Sequence, residues 1–172
     1  GSSSRTVCSP SPSPPPSCVD GIVPAQAPST IRAGRADSAT LIRHATARRA
    51  TDEALAYLAS ATPAEQALIR ALDTRYQSAT PVSPPEFIAW NDAYAAAMRE
   101  VYRAFPDDLD VCALFAEALI NCTPWQLWDL KTGHPAEGAS TLEAVEVLEL
   151  GLGQMEESAA SPSPGVLHMY IH

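Results

Sequence analysis

Of the nine places in this chain where a hydroxyl residue stands directly before a proline, four open a stretch with apolar residues at helical spacing: Thr62-Pro63, Ser83-Pro84, Thr123-Pro124 and Ser163-Pro164. Physically this is the grammar of a helix start. The serine or threonine oxygen accepts from an orphan backbone N–H of the first turn. Proline at the next position has no N–H to lose, and its fixed φ is already helical. Three of the four carry Glu or Gln three residues after the hydroxyl, as "TPAE", "SPPE" and "TPWQ". A fourth such box, "STLE" (Ser140 to Glu143), lacks the proline. In a complete box the acid or amide side chain returns to the cap's own N–H.

Between these starts the apolar residues recur at intervals of three and four, the period of a helix with one buried face. The spacing predicts helices over about 37–59 (Leu41, Ile42, Leu55, Leu58) and 63–76 (Leu68, Ile69, Leu72, Tyr76). It predicts others over 85–105 (Phe87, Trp90, Tyr94, Met98, Val101, Phe105) and 109–120 (Val111, Leu114, Phe115, Ala118, Leu119). Leu142, Val145, Leu148, Leu152 and Met155 mark one over 141–156, and a short helix starts at Pro164. A further short capped helix is expected from Pro124, bearing Trp125 and Trp128. No stretch alternates apolar and polar residues as a half-buried strand does, and alanine is abundant. The fold class expected is all-α, built of antiparallel helical hairpins.

Proline has another meaning at the N-terminus, where seven of the sixteen fall within the first thirty residues. "SPSPSPPPS" forms neither helix nor interior strand. Residues 1–35 are therefore expected to be a disordered Pro/Ser-rich tail, and 36–172 the helical domain. Charge is also unevenly spread. Residues 1–50 hold six basic and two acidic side chains, whereas 51–172 hold five and eighteen. From Ala104 onward Lys131 is the only basic residue. Such a surface repels phosphate, which argues against nucleic acid as a partner. No apolar run approaches the ~20 residues of a membrane span, so no membrane association is expected. No secretory leader pattern occurs, and the chain is read as cytoplasmic. Cys8, Cys18, Cys112 and Cys122 form no CxxC pair, so cysteine gives no support to a zinc site.

Several stretches resemble the large bacterial and fungal proteins described as tetratricopeptide-like. They are "ALIRALDTRY" (Ala67–Tyr76), "DAYAAAMREVYRAFPDDLDVCALFAEALI" (Asp92–Ile120), "PWQLWDLKTGHP" (Pro124–Pro135) and "PGVLHMYIH" (Pro164–His172). Phe115, Ala116 and Leu119 fall where that repeat wants a large, a small and a large residue. Ala144 and Leu148 do the same in the next helix. The resemblance spans residues 37–172 and implies an α–α superhelix. Those proteins are longer, so it also implies an internal or truncated piece, incomplete at its C-terminal side. It supplies fold and no settled activity.

Two constellations are candidates for chemistry. In "TPWQLWDLKTGHP", Trp125 and Trp128 would form an aromatic lip on a binding groove, with Asp129, Lys131 and His134 as polar contacts; the competing reading packs both tryptophans over the hairpin as a staple. His168 and His172 lie one helical turn apart, a two-ligand geometry for zinc or another divalent transition metal, with further ligands supplied from outside this chain. The competing reading places them on a helix whose partner is missing. "PDDLD" (Pro106–Asp110) lacks the glycine and the terminal glutamate of a calcium loop, and reads as a helix N-cap. No nucleophile elbow, phosphate loop or Ser/His/Asp order occurs, so no catalytic residue is nominated. The function expected is a protein-interaction scaffold with no cofactor, whose partner is a basic or amphipathic peptide. The alternative is a metal-binding protein using the histidine pair.

Overall fold

The structure is a computed structural model that describes residues 38–158 and 162–171. The expected tail over 1–35 lies outside the described residues. Among those residues the chain forms six α-helices and no strand: α1 (Ser38–Ala56), α2 (Pro63–Arg75), α3 (Pro84–Ala104), α4 (Leu109–Ile120), α5 (Thr141–Ser158) and α6 (Pro164–Ile171). None is long and apolar enough to cross a membrane. The predicted first helix stops earlier than expected, and a 3-10 turn over Leu58–Ser60 follows it.

Each helix packs on the next, and α4 also receives α6. The reason lies in the composition of α4, whose Val111, Cys112, Phe115, Ala116, Ala118 and Leu119 are all buried. Alanines on three sides let its neighbours approach closely. Gly165 on α6 completes the fit, because a Cβ there would meet the Ala113 Cβ at 3.0 Å. Met98 and Val101 reach α4 from α3, Ala144 and Leu148 from α5, and Val166 from α6. On α5 the buried face is Ala144, Val147, Leu148 and Gly151. Leu142, expected inside, is instead 64% exposed. The helix turns its small residues toward α4 and α6, and that rotation carries Leu142 outward.

The starts are realised unequally. At Thr62 the box closes in full: its hydroxyl accepts from Glu65 N, and its own N–H donates to Glu65 Oε2 at 2.7 Å. Asp108 caps α4 by accepting from both Asp110 N and Val111 N. Ser163 Oγ accepts from Val166 N at 3.3 Å. At Ser83 only the backbone carbonyl serves, accepting from Phe87 N. At Ser140 the expected box gives way because Glu143 turns to Arg99.

Arginines tie the stack together in a repeated arrangement. Arg75 on α2 lies 4.9 Å from the ring centre of Tyr94 on α3 and pairs with both oxygens of Glu117 on α4, at 3.1 and 3.0 Å. Arg99 on α3 lies 5.6 Å from the ring centre of Phe115 on α4 and pairs with both oxygens of Glu143 on α5, at 2.7 and 2.8 Å. In each case the guanidinium covers an aromatic face on the next helix and reaches a carboxylate on the helix after that. Arg48 ties α1 to α2 through Asp73 at 2.7 Å and the Tyr76 carbonyl at 2.6 Å.

Burial in this core sets an alkaline limit on stability. It pushes the Cys112 thiol up from 9.0 to about 11 and the Tyr94 phenol up from 10.0 to about 12. Between the unfolded and folded values the native state holds a proton that the unfolded chain has released, so stability falls as pH rises. The stabilisation is complete below pH 9 and is lost through pH 12. Denaturation followed between pH 8 and 12 should show a loss of about 2 kcal/mol from each group. Cys112→Ala should flatten the lower part of that decline, and an unchanged profile would contradict it.

Candidate functional site

The segment between α4 and α5, residues 121–140, does not form the short helix expected from Pro124. Thr123 gives no cap, since its hydroxyl is buried with no hydrogen-bond partner among the described residues. Trp125 takes a left-handed backbone, φ 64°, which ends any helical run at its second residue. The carbonyls beyond it are claimed by other partners. Leu127 O accepts from Ala136 N at 3.0 Å and from the Thr141 hydroxyl at 2.6 Å. The chain instead doubles back, with a single antiparallel bridge between Trp128 and Pro135.

Asp129 organises the turn. Its Oδ1 accepts from Lys131 N and its Oδ2 from the Thr132 hydroxyl, both at 2.9 Å. Its N–H donates to His134 O at 2.9 Å, and its carbonyl accepts from Gly133 N at 2.8 Å. The Lys131 N–H, followed by the Thr132 hydroxyl, holds its carboxyl below the usual carboxylate range. Gly133 sits at φ 71°, a conformation a side chain would strain. The loop is thus a built hairpin rather than a slack connection.

Two cavities lie against this loop. The larger, about 600 Å³, is walled by Trp125, Trp128, Leu127 and Leu130 from the loop, Glu117 and Ile120 from α4, and Met169 from α6. The smaller, about 350 Å³, takes its walls from α5 (Ala144, Val145, Leu148) and α6 (Met169, Tyr170). Ile120, Leu127, Trp128 and Met169 border both, so the two form one apolar groove with a partial septum. Glu117 is the acidic group in its wall, and that carboxylate is already held by Arg75 and by the Asn121 amide.

Of the five residues expected to meet a partner, Trp125 and Trp128 line the groove. Asp129, Lys131 and His134 do not. Asp129 is occupied in holding the turn, while Lys131 and His134 stand exposed on it. Trp125, 95% exposed, does not staple the insertion closed, whereas Trp128, 43% exposed, is more than half covered. Leu130, unremarked as a partner contact in the sequence, is 96% exposed at the same rim. Its place between Trp128 and the "KTG" turn was the signal that could have found it, since a turn leaves little for a leucine to pack on.

The second constellation is half visible. His168 is exposed on α6, and His172 lies outside the described residues. Among the described residues no three His, Cys, Asp or Glu side chains are grouped to hold a metal ion. No protein-family model, curated protein or solved structure matches the chain.

Proposed function

We propose that this chain is a tetratricopeptide-like scaffold that holds a segment of a partner protein in the groove beside the 121–140 hairpin. One observation carries the reading. Trp125 sits in a left-handed backbone that costs a non-glycine residue about 1–2 kcal/mol, and its side chain buries almost nothing in return. Tryptophan is the residue type most enriched among side chains that dominate protein interfaces. Stability alone would favour glycine or asparagine at this position. The groove adds the shape that such an anchor needs, a concave apolar surface with few polar groups.

The same observation supplies the test. Trp125→Gly should raise folding stability by roughly 0.5–1 kcal/mol in a urea titration, as relief of strain outweighs the added freedom of the unfolded chain. Peptides selected from a random display library against the unaltered protein should bind Trp125→Gly and Leu130→Ser about tenfold more weakly or worse. Selected peptides that bind all three proteins alike would remove the groove as the site.

A further inference from the structure

Every residue that walls the two cavities belongs to the chain from Glu117 to Tyr170. From Ala104 onward the sequence holds eleven acidic side chains and one base, Lys131. The apolar groove is therefore set in a strongly negative half of the molecule. Glu137, beside the larger cavity's Ala136, is exposed. So is Glu149, which accepts from the Tyr170 hydroxyl at the smaller one, at 3.4 Å. One base, Lys131, stands exposed beside the wall residue Leu130, and Arg75, which reaches the wall at Glu117, is neutralised by that carboxylate.

We infer that the groove's occupant is one short basic amphipathic segment that seats two bulky apolar side chains, one on each side of the Trp128–Met169 septum, with lysine or arginine facing the acidic rim. This deepens the scaffold reading above and rests on it. Two contiguous cavities ask for two anchors close together on one segment, which one face of a single helical turn provides. The charge around the groove then chooses between partners. An acidic segment, an anionic membrane or the same acidic half of a second copy would each bring like charge against the rim, whereas a basic segment is drawn in.

The test uses the full chain and three synthetic peptides, measured by calorimetry at low and physiological salt. The first places Trp and Leu one helical turn apart in a Lys/Ala background. The second exchanges every Lys for Glu, and the third exchanges both anchors for Ala. The first should bind, about tenfold or more tighter than either of the others, and should weaken as salt is raised. Trp128→Ala and Leu130→Ala should each weaken it about tenfold. Equal binding of the Lys and Glu peptides, with loss in both variants, would overturn the charge assignment and leave the groove in place. Equal binding without the anchors, or indifference to both variants, would mean charge attraction alone and would overturn the groove as well. Self-association of the protein that shields Trp125 from a fluorescence quencher would make a second copy the occupant and overturn the inference. Failure of all three peptides to bind would overturn it too; the library selection then decides separately whether the groove binds at all.

Discussion

Phe115→Ala is expected to cost about 3–5 kcal/mol, the range for emptying a large aromatic site in a packed core. Phe115 is 1% exposed at the centre of α4. Its ring stacks on Tyr102, with centroids 5.3 Å apart, and lies under the Arg99 guanidinium. Truncation therefore leaves a void, strips a stacking partner from Tyr102 and uncovers the charge that holds α5. In urea the midpoint should fall sharply with little change in slope. Phe115→Leu should lose about 1.5 kcal/mol or less, because most of the volume is kept. A loss below about 1 kcal/mol in the alanine variant would mean that α4 is not the centre of the core.

Arg75→Ala is the second large effect, about 2–3 kcal/mol. This lies below the ~3–5 kcal/mol that breaking a fully buried ion pair costs. The Arg75 side chain is 16% exposed, but Glu117 keeps 30% in solvent, which screens the orphaned carboxylate. The loss combines that carboxylate with the cover over Tyr94. Glu117→Gln should cost less, since the amide still accepts from Arg75. The Arg75→Ala and Glu117→Ala cycle should show a coupling of about 1 kcal/mol or more, and additive losses would mean that the pair contributes nothing as a pair.

Local features of this fold were legible in the sequence to the extent that they depend on near neighbours. Pro63 after Thr62, with Glu65 at the right spacing, gave a box that closes as written, and Asp108 caps as expected. The helical class followed from periodicity. Two kinds of feature were not legible. The first is competition: Thr123 and Gln126 spell the same box as Thr62 and Glu65, yet Asp129, Gly133 and the Thr141 hydroxyl claim the backbone that a helix would have used. The second is distance along the chain. Nothing in the sequence couples Arg75 to Glu117 or Arg99 to Glu143, because each pair is chosen by which helix lies across from which. The register of α5 fails for a related reason. Leu142 fits the apolar period as well as Val147 does, but only the face carrying Ala144 and Gly151 is small enough to lie close to α4 and α6. In the candidate site the tryptophans were found by type alone, and their geometry came from a turn that the helical reading had overlooked.

The skip-one arginine ties have a mechanical consequence. In a simple row of helices each member holds only its neighbours, and the row unravels from whichever end is weakest. Here α2 grips α4 and α3 grips α5, so the middle four helices share load like overlapping shingles, and α1, fastened chiefly to α2, is the member free to lift first. Glu117 belongs both to this lashing and to the wall of the groove. Any occupant that shifts it also tugs on α2, two helices away.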